Sequence, residues 1–142
     1  ITTKDNKKVC YEADLIIIAV KPQNIAEVLK EIKGCINDKH LIVSIVAGIR
    51  LSYISNILGS KNIVRVMPNT PALIGEGMSV ISTEEAISKE KLDKVLDIFK
   101  AVGKVVKIEE SKMDIVTALS GSGPALFAYF IEAIVEAGVR EG

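Results

Sequence analysis

Two short segments hold the residue types best suited to chemistry: Met67-Pro68-Asn69-Thr70-Pro71 and Leu119-Ser120-Gly121-Ser122-Gly123-Pro124-Ala125. In the first, Pro68 and Pro71 fix φ near −65° and lack a backbone N–H. Met67 and Thr70, each before a proline, are pushed to extended conformations. Asn69 and Thr70 are therefore polar hydrogen-bonding groups on a stiff platform. The platform follows an apolar run, Asn62 to Val66, that reads as a buried strand. Groups held at the carboxyl end of such a strand are placed to bind a ligand. The alternative is that Asn69 and Thr70 only cap the next turn; the two prolines favour a ligand role, since the fold has no evident need for so stiff a loop. Ser120 and Ser122 read as helix caps, with Pro124 in the first helical turn.

The elements that must position these residues alternate along the chain. Asn6 to Glu12 reads as a short helix or turn. Ala13 to Val20 is a continuous β-branched run, the pattern of a parallel strand covered on both faces. Ile25, Val28, Leu29 and Ile32 recur at helical spacing until Gly34. Leu41 to Val46 is a second buried strand. Leu51, Ile54, Ile57 and Leu58 indicate a helix closed by Gly59. Ile63 to Val66 is the third strand, and Gly77 to Ser82 a fourth, placed near an edge. Ser88 to Val102 is a helix, and Lys104 to Ile108 alternates as a last strand. From Ser111 to Leu119 and from Pro124 to Val139 the pattern is helical with no strand between. This predicts a doubly wound parallel α/β sheet over residues 1–108 and the first helices of a second, all-helical unit over 109–142.

In such a sheet the ends Ala19-Val20-Lys21-Pro22 and Val46-Ala47-Gly48 are neighbours on one rim, beside Met67 to Pro71. Small residues there admit a flat ligand, and Gly48 permits the closest approach; it also suits a tight turn. A dinucleotide across this rim is the expected ligand. The phosphate fingerprint G-x-G-x-x-G does not occur in these 142 residues. The chain starts at Ile1 and stops at Arg140-Glu141-Gly142 on a helical pattern, so both ends are expected to be cut.

Composition narrows the class. The chain is 49% hydrophobic, and 18 basic residues balance 18 acidic ones. Neither nucleic acid nor an anionic membrane has electrostatic support as a partner. Cys10 and Cys35 have no metal spacing and read as free thiols of a reducing cytoplasm. The most apolar stretch, Pro124 to Val139, has 16 residues and includes Glu132 and Glu136, too short and too charged to cross a bilayer. The two glutamates read as the wet stripe of an otherwise buried helix. His40 reads as a solvated turn residue. Arg65, in a buried strand, reaches the rim or pairs with a carboxylate such as Asp14. No Ser–His pair, Cys nucleophile or metal cluster is evident, so hydrolase and metalloenzyme readings lack their parts.

The segments Ala19-Val20-Lys21-Pro22, Ala47-Gly48, Val64 to Pro71 and Ser120 to Ala125, in this order and spacing, resemble pyrroline-5-carboxylate reductase. The resemblance implies a nicotinamide-binding Rossmann domain followed by a helical dimerisation domain. It implies reduction of 1-pyrroline-5-carboxylate to L-proline with NADP or NAD, in a cytoplasmic homodimer or higher homo-oligomer. It implies cofactor contacts at Ala19, Val20, Lys21, Pro22, Val46, Ala47 and Gly48. The same family places an asparagine 13 residues before the first alanine, which is Asn6. Met67, Pro68, Asn69 and Thr70 would lie on the nicotinamide and substrate side. The glycine-rich turn and the segment holding the substrate carboxylate are family elements with no counterpart here, so the catalytic residues are unassigned and the fragment alone is expected to be inactive. Two alternatives stand beside this: a β-hydroxyacid dehydrogenase type, for which Lys112 lies too near the domain boundary to match the catalytic lysine, and a folded interaction module without activity.

Overall fold

The computed structural model describes residues 2–84 and 87–142. Strands β1 (Leu15–Ile18), β2 (Leu41–Ser44), β3 (Ile63–Met67), β4 (Gly77–Thr83) and β5 (Gly103–Lys107) form one sheet in the order β1-β2-β3-β4-β5. Helices α1 (Asn6–Glu12), α2 (Ile25–Ile32), α3 (Leu51–Leu58) and α4 (Lys89–Lys100) alternate with them. Alternating side chains on each strand separate two cores. Ile16, Ile18, Ile42 and Ile63 pack with Leu29 and Ile32 of α2 and Leu51, Ile54 and Leu58 of α3. Leu41, Val43, Val64, Val66 and Ile81 face the other way, onto Val95 and Phe99 of α4. The sheet is thus doubly wound. Each fully buried side chain, such as Leu29 or Ile54, contributes roughly 1.5–3 kcal/mol.

The pairings β1–β2, β2–β3 and β4–β5 are parallel, but β3–β4 is antiparallel. The chain between Met67 and Gly77 is too short for a crossover, which takes a dozen or more residues. A 3₁₀ turn, Thr70–Ile74, reverses it instead. β4 lies near one edge of the sheet, as expected, with only β5 outside it.

Three further expectations change. β1 is not covered on both faces: Ile17 is 43% exposed. The core around α4 reaches only Leu15 on that strand. His40 is no solvated turn residue but 1% exposed. Its turn is polar, yet His40 is the last residue before β2 and tucks under α1. Its Nδ1 accepts from the Asn37 backbone N–H at 3.0 Å, so its Nε2 donates to the Cys10 carbonyl, 2.8 Å away. The two bonds fix the orientation of the ring. Cys10 is buried beside it, and burial first, then the charges of Cys35 and Glu31, push its thiol up from the ordinary value.

After β5 a 3₁₀ turn (Glu110–Lys112) leads to α5 (Met113–Val116), a π-turn (Thr117–Gly121) and α6 (Gly123–Glu141). Ser120 and Ser122 do not stand in a loop between two helices. Ser120 lies within the π-turn, and Ser122 takes the N-cap position of α6 but makes no side-chain cap bond. Its backbone N–H reaches the Thr117 carbonyl at 3.2 Å, the wide bond that defines the π-turn. The helical run from Glu110 to Glu141 spans 32 residues and is long and apolar enough to cross a membrane, unlike the shorter stretch read from the sequence. Within α6 no residue is buried. Phe127, Tyr129, Phe130 and Ile134 all stand open to solvent. A helix this apolar requires a covering surface.

Candidate functional site: the carboxyl rim of β1, β2 and β3

Because β1, β2 and β3 are parallel, their carboxyl ends share a rim. At β1, Asn6 of α1 comes together with Ile17, Ala19 and Val20 in a groove of about 220 Å³, floored by Ile16 and walled by Val28 and Ile32 of α2. Asp5 caps α1 by accepting from the backbone N–H groups of Lys7 (2.9 Å) and Lys8 (3.2 Å). This fixes Asn6 at the first helical position. Ala19, Lys21 and Pro22 are exposed and Val20 is half-buried.

At β2 the rim is shaped by Ser44, whose buried hydroxyl accepts from the Val46 N–H at 3.3 Å. Val46 packs into the core and is 3% exposed. Its side chain cannot meet a ligand; only its backbone faces the rim. Ala47 is half-buried. Gly48 has φ +74°, and nothing lies within 4 Å of where a Cβ would stand. The turn therefore favours glycine, and the space beside it is open. A second groove, about 390 Å³, runs from Gly48 past Arg50 to Tyr53 and Asn56. Arg50 is exposed there, and no ion pair among the described residues engages it. Only its place just after the β2 rim segment would have drawn attention to it.

At β3 the two segments that opened the sequence analysis meet. The Asn69 amide Nδ2 donates to Ser120 Oγ at 3.3 Å, and its Oδ1 accepts from the Met78 backbone N–H at 2.8 Å. A Cβ on Gly121 would stand 3.1 Å from Met67 Cε. Asn69 thus clasps β4 and the π-turn to the rim, and both ends of its amide are engaged. Of the segment's residues, Thr70 is exposed while Met67, Pro68 and Asn69 are half-buried.

Beneath the clasp lies a charged seam. Arg65 is 2% exposed and does not reach the rim. Its partners are not Asp14, which lies 3.6 Å from Lys39, but Asp114 at 3.0 Å and Glu110 at 3.6 Å. Glu110 Oε1 also accepts the first backbone N–H of α3, at Leu51. No local pattern reveals this, because 49 residues separate Arg65 from Asp114. Among the described residues no group of three His, Cys, Asp or Glu side chains could hold a metal.

Residues 110–142 match the family model for pyrroline-5-carboxylate reductase dimerisation, and residues 1–48 match that for NADP oxidoreductase, coenzyme F420-dependent. A curated relative from Corynebacterium melassecola is 41% identical over 142 residues, 97% of this chain and 53% of its own length. The likeness is to pyrroline-5-carboxylate reductase. A solved reductase from Plasmodium falciparum, with NADP bound, superposes with a TM-score of 0.93 at 38% identity, over 99% of this chain and 53% of that one. One from Coxiella burnetii gives 0.87 at 35% identity, over 97% and 52%. The chain spans about half the length of the curated relatives it matches. An (S)-3-hydroxybutyryl-CoA dehydrogenase from Ralstonia eutropha is 13% identical with a TM-score of 0.61, over 76% of this chain, a likeness of fold alone. The sheet and helices have the Rossmann-type fold of these relatives, followed by a C-terminal helix.

Proposed function

We propose that the intact protein reduces 1-pyrroline-5-carboxylate to L-proline with NADPH or NADH, in the cytoplasm, as a homodimer or higher homo-oligomer. The observation that carries this is the likeness to reductases along nearly the whole chain, 41% identical over 142 residues in one relative. The rim suits a dinucleotide. Gly48 leaves open the space a Cβ would take, and the groove beside Asn6 is lined by the small or apolar residues Ile17, Ala19 and Val20.

In this reading Asn6, Ala19, Val20, Lys21, Pro22, Ala47, Gly48 and the Val46 backbone hold the cofactor. Met67, Pro68 and Thr70 border the nicotinamide and substrate, with Asn69 keeping that border in place. The reduced nicotinamide supplies a hydride to the imine carbon, and a proton is added at the ring nitrogen. The chain's own part is to hold reactants near contact distance, about 3–3.5 Å, and to exclude water. The stiff Met67 to Pro71 segment is built for that. Residues 109–142 begin the helical pairing unit, separate from the dinucleotide-binding unit of 1–108. α6 supports this, since it is apolar on most sides and open along its length. A polypeptide limited to these 142 residues is expected to bind dinucleotide weakly and not to turn over, being about half the length of its relatives.

The test follows cofactor oxidation by the intact protein as a function of added 1-pyrroline-5-carboxylate. Substrate-dependent oxidation supports the reading. Absence of turnover, with clear activity on a hydroxy- or keto-acid, would refute it.

A further inference from the structure

The clasp at β3 leaves one hydroxyl proton to be placed. The Asn69 amide cannot turn end for end, because its Oδ1 accepts from the Met78 backbone N–H at 2.8 Å. Its Nδ2 is therefore the donor in the 3.3 Å bond to Ser120, and Ser120 Oγ the acceptor. A serine hydroxyl has one donor beside its acceptor lone pairs, so the O–H of Ser120 is still free to donate. In a helical run such a group commonly turns back to the carbonyl four residues earlier. Thr117 does so, donating to the Met113 carbonyl at 2.8 Å. Ser120 does not: among the described residues the one bond of its side chain is that from Asn69. It sits half-buried inside the π-turn, a widening found often at functional sites. That turn is held against the rim, where a Cβ on Gly121 would stand 3.1 Å from Met67 Cε. We infer that Ser120 is a cofactor-binding residue whose hydroxyl, aimed by Asn69, donates to the carboxamide oxygen of the bound nicotinamide and so sets how the ring lies on the rim.

The inference rests on the reading of the rim as a dinucleotide site, with Met67 to Thr70 on the nicotinamide side. Two observations favour a neutral carbonyl oxygen over a carboxylate as the acceptor. Both members of the clasp, Asn69 and Ser120, are uncharged. Beneath them two carboxylates, Glu110 and Asp114, face the single guanidinium of Arg65, so the seam offers no excess positive charge to hold an anion. A hydroxyl that already accepts a hydrogen bond is also the stronger donor, since chains of such bonds polarise one another.

The experiment measures Kd on the intact protein and on Ser120→Ala and Asn69→Asp variants. The ligands are NADH or NADPH, whichever the unmodified protein binds more tightly, and the matching ADP-ribose or 2′-phospho-ADP-ribose, which lacks the nicotinamide. Nicotinamide fluorescence reads the first and calorimetry the second, with thermal melting alongside. Ser120→Ala is expected to weaken the reduced dinucleotide about 3- to 10-fold, the scale of one hydrogen bond, and to leave the ligand without nicotinamide within about 2-fold. Asn69→Asp keeps an acceptor for the Met78 N–H but replaces the donor of the clasp by a carboxylate, which captures the Ser120 proton. It is expected to show the same selective loss with Ser120 still in place. Unchanged dinucleotide affinity in either variant would overturn the inference. Equal losses of the two ligands would also overturn it, since Ser120 would then be a structural contact. A raised KM for 1-pyrroline-5-carboxylate in Ser120→Ala, with unchanged dinucleotide Kd, would assign the hydroxyl to the substrate carboxylate and overturn the carboxamide contact. Failure of the unmodified protein to bind either dinucleotide would instead remove the reading on which the inference stands.

Discussion

Removing Glu110 should cost this protein far more than removing Asp114, although both carboxylates pair with the same arginine. Arg65 is 2% exposed, Glu110 28% and Asp114 64%. At 3.6 Å and an effective dielectric near 20, the Arg65–Glu110 attraction is about 5 kcal/mol before desolvation. At 3.0 Å and nearer the dielectric of water, the Arg65–Asp114 attraction is about 1.4 kcal/mol, and exposed pairs deliver about 0–1 kcal/mol net. Glu110 also accepts the first N–H of α3, and losing such a cap costs about 1 kcal/mol. Breaking a buried pair by removing one partner costs about 3–5 kcal/mol; the partial exposure of Glu110 lowers that. Glu110→Ala is thus expected to destabilise by about 2–4 kcal/mol, and Asp114→Ala by under about 1 kcal/mol. At about 2–4 °C per kcal/mol, the scale for a protein longer than about 150 residues, the first should lower Tm by about 4–16 °C and the second by about 4 °C or less. Thermal and urea denaturation of the intact protein decide it. Equal losses, or a larger loss for Asp114→Ala, would refute the reasoning from burial. A Glu110→Ala/Asp114→Ala double variant, which leaves the buried Arg65 without a partner, should cost more than Arg65→Met in the same assay.

Gly48→Asn should retain the left-handed turn, which asparagine tolerates better than other side chains, and should weaken dinucleotide binding by placing an amide in the open rim. Gly48→Val should in addition lose about 1–3 kcal/mol of stability from strain; paired Kd and Tm measurements distinguish the two. Asn69→Ala leaves the Met78 N–H without its acceptor and should destabilise by about 1–3 kcal/mol, whereas Asn69→Asp keeps that acceptor and should lose less; urea denaturation compares them. The Cys10 thiol is held up in the fold, so its contribution to stability is complete below the ordinary thiol range and lost as pH rises through that range toward the folded value. Stability should therefore fall between pH 8 and 10 more steeply in the unmodified protein than in Cys10→Ala, and equal slopes would exclude the thiol as a source.

The strands β2 and β3 could be read because continuous β-branched runs admit no competing period, and Gly59 and Ser88 mark helix ends by chemistry local to them. The Met67 to Pro71 segment was legible for the same reason, since proline acts on its own residue and its neighbour. What escaped depends on distance in the chain. The exposure of Ile17 follows from how far α4 reaches, and the burial of His40 from where α1 packs. The partners of Arg65 sit on a helix begun 45 residues later. Serine and glycine before proline favour caps, and Ser122 does take the N-cap position of α6, whereas Ser120 lies inside the π-turn and bonds to Asn69 instead. Glu31 carries no motif at all; only folding brings its carboxylate to the Asn6 amide, 2.8 Å away.

The order of the sheet equals the order of the chain, and this bears on how the protein acquires its shape. Every strand pairs with its sequence neighbour, so no strand waits for a partner made much later, and topologies of low contact order fold fast. The sheet can grow by accretion during synthesis, one strand at a time. The contacts that join residues about 50 apart, Asn69 to Ser120 and Arg65 to Asp114, close only after the helical run exists. If they close after the rate-limiting step, weakening them will hasten unfolding and leave the folding rate nearly untouched. The seam that holds the rim to the long helix is then a determinant of lifetime rather than of assembly.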